Sequence, residues 1–294
     1  MTPLERRYRW LMRAYPRSYR SAYGEELLDV LLGHTDPACS TPPFKEAAGL
    51  LVNGARERVW QAVTAPKWAD GVHLGVTALC VANLATLLPY VASIPAWCAL
   101  SALTLTLVIL GRVRHALPLA LLTGAKAWAL GTGVAFIDAT QLPVEPGFLT
   151  HDPLYARSGP VAAVTGPLLV CAGLVLLAVR EERPRRRSWW WLPAVPLLAA
   201  ADPAWMSLED PGPVVLVRVA AETVTLTAAA WAGRTTGDPR WALAAAIYLV
   251  ARSAALSENL PFQSRQNLAY WGLLAFLTLV AALVPHGSRT RALD

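Results

Sequence analysis

Charge is scarce in these 294 residues. Only 16% are charged and 55% are apolar, whereas a soluble domain carries about 25% charged residues. The deficit argues against an ordinary water-soluble domain and points to lipid as the solvent. Cysteine is scarce too, with Cys39 in a polar loop, Cys80, Cys98 and Cys171 in apolar runs, and no C-x-x-C spacing anywhere. Neither a disulfide framework nor a zinc site is expected. Lysine is rarest, with Lys45, Lys67 and Lys126 the only three among 26 basic residues. Together with the abundance of alanine, this composition fits a high-GC genome, and a bacterial, actinobacterial source is the simplest account.

Catalytic signatures are also missing. No G-K-[ST] phosphate loop, H-E-x-x-H, G-x-S-x-G or dinucleotide fingerprint occurs, so no cofactor, metal or catalytic residue is expected. Glu181, Glu182 and Arg186 fit the E-E-x-x-x-R pattern of the intramembrane prenyl-protease and bacteriocin-immunity family. That chemistry needs glutamates inside a helix facing later histidines. Here they lie in an arginine-rich loop, and the only later histidine is His286. The expectation is a chain that is not an enzyme. The net charge of +6 would suggest nucleic acid for a soluble protein, but here it is accounted for by arginines anchoring cytoplasmic helix ends, and no nucleic-acid partner is expected.

What is present is a succession of eight apolar stretches: 72–91, 94–110, 116–137, 161–179, 189–206, 214–232, 241–256 and 268–284. Most approach the ~20 residues that cross ~30 Å of hydrocarbon. Tryptophans flank many of them, including Trp189, Trp190, Trp191, Trp205, Trp231, Trp241 and Trp271, as an aromatic belt at the headgroup layer does. The fifth stretch is interrupted by Pro193, Pro196, Asp202 and Pro203. Charge asymmetry arbitrates. With eight spans and the N-terminus inside, eleven arginines beyond the N-terminal region fall inside (Arg112, Arg114, Arg180, Arg183, Arg185, Arg186, Arg187, Arg234, Arg240, Arg289, Arg291), and only Arg157 and Arg265 fall outside. Without the fifth span the ratio drops to 8 against 5. The positive-inside rule favours eight spans. The expected fold is therefore all-α and polytopic, in a bacterial plasma membrane, with both termini cytoplasmic.

Residues 1–65 precede the first span and read as a small cytoplasmic helical domain, residues 66–294 as the membrane domain. Thr2 and Pro3 form an N-cap signal, followed by Leu4, Tyr8, Leu11 and Tyr15 at helical spacing. Pro16 restarts the chain, and Tyr19, Tyr23, Leu27, Val30 and Leu31 give a second stripe, with Gly24 marking a bend. Phe44, Ala47, Leu51, Ala55 and Val59 give a third. Three short helices bury little core alone, so they are expected to lean on the bilayer or on a partner.

Inside the spans the ionisable residues are Lys126, Arg218, Glu222 and Arg252. Each is costly in lipid and needs a partner, water or an interface. Lys126 and Glu222 lie on the order of 12–15 Å deep at 1.5 Å per residue, on different helices. Arg218 and Glu222 share a helix face. A cluster of the four is geometrically allowed, serving either as an ion-paired network for packing or as a polar cavity for a solute.

The segment Trp10-Leu11-Met12-Arg13-Ala14-Tyr15-Pro16-Arg17-Ser18-Tyr19-Arg20, continuing Tyr23-Gly24-Glu25-Glu26-Leu27-Leu28, resembles the Y-P-x-x-[YF]-R-x-x-[YF]-G-x-E pattern of the permease prefix domain. That domain precedes the membrane part of some bacterial permeases and of many actinobacterial membrane proteins, often beside PadR-type regulators or transporter components. The resemblance covers about thirty residues. It implies a regulatory or adaptor role in which Arg13, Tyr15, Pro16, Arg17, Tyr19, Arg20, Tyr23, Gly24 and Glu25 form the surface that meets the membrane or a cytoplasmic partner. The large extracytoplasmic domain of the full permeases is missing here, so coupling to an ATPase is not carried over. The leading expectation is a regulatory, adaptor or stress-signalling membrane protein whose partners are the lipid bilayer and a cytoplasmic regulator or transporter component. A secondary transporter or channel-like protein using the charge cluster comes second, and an intramembrane enzyme acting on lipids third.

Overall fold

The computed structural model describes residues 2–34, 41–61, 67–92, 94–132, 160–180, 184–200, 212–258 and 265–290. Among them there are helices and no strand. The chain divides into two compact units, Met1–Thr64 and Ala65–Asp294.

In the first unit, α1 (Pro3–Leu11) opens on a capping box. The Thr2 hydroxyl accepts from the Glu5 N–H while the Glu5 carboxylate accepts from the Thr2 N–H, which satisfies two otherwise orphaned donors. A 3₁₀ turn (Met12–Ala14) leads past Tyr15 and Pro16 into α2 (Arg17–His34), and α3 (Phe44–Gln61) follows. Gly24 does not bend α2, which runs through it as one helix. A Cβ there would make only ordinary contact with Met12, at 3.6 Å.

Leu4, Tyr8, Leu11, Met12, Tyr15, Leu28 and Leu50 form a buried core, with Tyr19, Leu27, Leu31, Leu32 and Ala47 packed against it. The stripes read from sequence are thus partly displaced. Leu28 and Leu50 face inward, while Tyr23, Val30, Phe44 and Leu51 are exposed. One helical position is 100°, so an apolar-rich helix offers two neighbouring stripes of similar quality, and tertiary contacts choose between them. α3 crosses the 3₁₀ turn closely at Gly54, where a Cβ would lie 2.8 Å from the backbone of Ala14. Arg58, one turn on, donates from Nε to the Ala14 carbonyl and from Nη2 to the Arg13 carbonyl. Gly54→Ala is expected to force α3 away and to cost about 1–3 kcal/mol. Limited proteolysis of the full chain should show faster cleavage within residues 1–64 and unchanged cleavage of the second unit.

The second unit holds α4 (Lys67–Leu87) with a 3₁₀ extension (Leu88–Tyr90), α5 (Pro95–Ile109), α6 (Val113–Thr132), α7 (Pro160–Val179), α8 (Trp191–Ala200), α9 (Gly212–Thr236), α10 (Arg240–Glu258) and α11 (Arg265–Thr290). Among the described residues, each of the eight apolar stretches overlaps one of these helices. α4 packs against α5, α7, α8 and α10, and α11 packs against α9 and α10. Trp68–Tyr90 is long and apolar enough to cross a membrane, while Pro95–Ile109, Val164–Val179 and Leu268–Val284 are shorter apolar helices. α8 has ten residues, about 15 Å at 1.5 Å per residue. Trp189 and Trp190 form the turn before it, and residues 201–206 of the fifth apolar stretch lie outside the described residues.

Small residues let these helices approach. A Cβ on Gly71 would lie 2.9 Å from the Arg240 carbonyl oxygen, one on Gly75 2.8 Å from Ile247, and one on Gly173 2.5 Å from Val76. α4 therefore meets α10 and α7 at near-backbone distance, as closely packed membrane helices do.

Candidate functional site

Of the four ionisable residues expected inside the spans, Glu222 and Arg252 are brought together. Glu222 on α9 is buried, and its Oε2 accepts from the Tyr270 hydroxyl of α11 and lies 3.9 Å from Arg252 Nε of α10. Three helices thus meet at one carboxylate. Trp271 Nε1 adds a bond to Ser253 Oγ at 2.9 Å, tying α11 to α10 beside it. Arg218 is one turn before Glu222 on α9, and its side chain lies outside the described residues. Lys126 is fully buried on α6, a helix that packs against α5 and α7, whereas α9 packs mainly against α10 and α11.

On the first unit, Tyr15 is buried and stacks on Tyr19 with ring centroids 4.9 Å apart, and Tyr19 meets Tyr23 at 5.3 Å. The three tyrosines form a ladder that joins the start of α2 to the core. Burial pushes the Tyr15 hydroxyl above its ordinary pKa, with Tyr19 adding to the effect. Pro16 and Arg20 are half-buried, Gly24 is buried, and Arg13, Arg17 and Glu25 are exposed. Glu25 accepts from Arg9 at 2.9 and 3.1 Å, an exposed pair worth little to stability. The backbone carbonyl of Arg13 is taken by Arg58, and the Arg13 side chain is exposed.

Sequence reasoning missed the most developed polar assembly in the bundle. Asp70, in the first turn of α4, receives Arg187 Nη2 on Oδ1 at 2.6 Å and Arg240 Nη1 on Oδ2 at 2.6 Å. Arg240 Nη2 also donates to Asp238 Oδ2 at 2.8 Å, and its backbone N–H donates to Asp238 Oδ1 at 3.0 Å. Asp238-Pro239-Arg240 is therefore an N-cap and proline start for α10, and the capping aspartate also neutralises the helix's own arginine. Two carboxylates balance two guanidiniums, and Asp70, Asp238 and Arg240 are all at most 3% exposed. Burial pushes the Arg187 guanidinium down and Asp70 opposes that shift.

A helix end completes the assembly. α5 closes in a Schellman motif, with Gly111 at φ +73° donating to the Val108 carbonyl and Arg112 N–H donating to Leu107. His73 Nε2 bonds the Val108 carbonyl at 2.8 Å, and Arg187 N–H donates to Ile109 at 2.8 Å. Arg187 Nε donates to His73 Nδ1 at 3.2 Å, so that nitrogen is an acceptor and the imidazole is the neutral Nε2–H tautomer. The last carbonyls of α5 are thereby satisfied by α4 and by the segment before α8. The arrangement is closed, with each charged group facing an opposite charge. Its ion pairs cross-link the start of α4, the 184–188 segment and the start of α10.

The signal that could have found it was local. Asp70 precedes an apolar run and Asp238 precedes a proline, and a search confined to charges within the runs passes over both. Tyr270 was missed because a tyrosine near the end of an apolar run reads as a belt residue. Among the described residues no group of three His, Cys, Asp or Glu side chains is placed to hold a metal. Compared with known proteins, the chain matches no family model, no curated protein and no solved structure.

Proposed function

We propose that this is a multi-pass protein of a bacterial plasma membrane whose bundle is a rigid carrier and whose first 64 residues are a cytoplasmic docking module of regulatory or adaptor type, similar to the permease prefix. The observation that carries the reading is the convergence on Asp70. The start of α4, the α5–α6 turn, the 184–188 segment and the α9–α10 turn all contribute to the network. These are the segments that the arginine asymmetry assigns to the inside, and their meeting at one end of the bundle supports that reading. The network also cross-links that end, which suits a carrier better than a moving gate. On the first unit, exposed Trp10, Phe44 and Val52 accompany exposed Arg6, Arg7, Arg13 and Arg17, the mix of apolar and basic groups that an anionic membrane surface or an acidic partner accepts.

The test is topological. Reporters fused after Gly237 and after Asp294 are expected to fluoresce in the cytoplasm and to show no activity as periplasmic phosphatase fusions. Phosphatase activity at either position would overturn the reading. A second reading, solute or proton transfer, is favoured by the buried Glu222 with Tyr270 and Arg252. It requires flux into proteoliposomes that Glu222→Gln abolishes, whereas the docking reading expects no flux.

A further inference from the structure

α4, α5, α6 and α7 pack in a closed ring, α4 on α5, α5 on α6, α6 on α7 and α7 on α4. Between them lies a cavity of about 30 Å³ lined by polar groups from three of the four helices, among them Asn83, Ser101, Thr104 and Thr123. The hydrogen-bonding capacity around it is unspent. Ser101 Oγ is buried and has no partner, and among the described residues the Asn83 carboxamide makes no hydrogen bond. Thr104 and Thr123 donate their hydroxyl protons to backbone carbonyls of their own helices at 2.8 and 3.0 Å, which leaves oxygen lone pairs for a guest. Pro167, also in the lining, has no N–H to give the carbonyl one turn earlier in α7.

We propose that this cavity is a hydration site holding one or two water molecules that bridge α4, α5 and α6. The size fits, because a water needs ~10–15 Å³ of such space and two to four polar partners. The chemistry fits as well. Ser101 and the Asn83 amide supply donors, while Thr104, Thr123 and the Asn83 oxygen supply acceptors. A neutral molecule that both donates and accepts satisfies both sets. A cation would find no carboxylate in the lining, and an anion would find too few donors. Leaving the buried Ser101 hydroxyl and the Asn83 carboxamide without a partner would cost more than ordering the water that pairs them. Thr123 is ten residues into α6, about 15 Å along it. On the multi-pass reading the water is therefore near mid-membrane, and this depth is the only part of the inference that rests on that reading.

Cys80 lines the same cavity, which gives the test its reporter. Full-length protein in lipid nanodiscs made in ¹⁸O-water is irradiated, so that bound water generates hydroxyl radicals in place, and oxidation is mapped by mass spectrometry. Cys80 should take up ¹⁸O above the level of Cys98, which is equally buried but bonded instead to the Leu87 carbonyl. Ser101→Val and Thr123→Val, each removing one partner, should lower Cys80 uptake, by at most about fivefold, the change in binding constant expected for one lost hydrogen bond. Thermal unfolding identifies which variant is folded, and either one suffices. Cys80 uptake no higher than that of Cys98, or uptake unchanged in a folded variant, would overturn the site. Neither result depends on the topology reporters.

Discussion

Asp70→Asn is expected to lower the stability of the bundle by about 3–5 kcal/mol, the range for removing one partner of a buried charge network. Arg187 and Arg240 both depend on this carboxylate, and both remain buried when it becomes neutral. The amide can accept from one guanidinium, but it carries no charge for either. Thermal unfolding of the full chain in detergent measures the loss, and proteolysis within 184–188 should accelerate because Arg187 anchors that segment. Asp238→Asn should cost less, since Arg240 then keeps Asp70. A loss of no more than the ~0–1 kcal/mol of an exposed ion pair would mean that the assembly does not hold the bundle together.

Gly111→Ala is expected to cost about 2–5 kcal/mol, the sum of two effects. The residue sits at φ +73°, where a side chain costs about 1–2 kcal/mol. Its Cβ would also collide with the Pro184 carbonyl oxygen, a backbone atom that cannot rotate away, and overpacking of this kind adds about a further 1–3 kcal/mol. Relief requires the segment that begins at Pro184 to retreat, and Arg187 lies three residues along it. The Arg187 N–H bond to Ile109 and the guanidinium bond to Asp70 should loosen together. The double variant with Asp70→Asn is therefore expected to lose less than the two single losses combined, because both act on the same segment. Strict additivity in unfolding measurements would separate the turn from the charge network.

Helix positions were legible because hydrophobicity is summed over many residues and tolerates local ambiguity. Thr2 with Pro3 marked the first helix for the same kind of local reason. Facing was less legible. In α3 the inward residue is Leu50 and the exposed one is Leu51, and adjacent leucines give a sequence no means of ranking them. Pairing was hardest to read. Asp70 finds Arg187 across 117 residues and Arg240 across 170, distances over which one chain carries no periodic signal. Depth along a helix does not say which helices are neighbours: Lys126 lies on α6, which packs against α5 and α7, and Glu222 lies on α9, which packs against α10 and α11.

The position of α4 at the centre of the bundle sets an order of events in time. On the multi-pass reading α4 is the first helix to enter the bilayer, yet Arg240 is made 170 residues after Asp70. At ribosomal speed that gap is roughly ten to thirty seconds. Throughout it Asp70 and His73 stand at the inner boundary, where water serves them, so insertion of α4 does not need the network. Closure happens only when α10 arrives, and it locks in place helices that are already threaded. A chain truncated before Arg240 should therefore insert normally yet stay open at its inner end, exposed to the proteases that survey the cytoplasmic face.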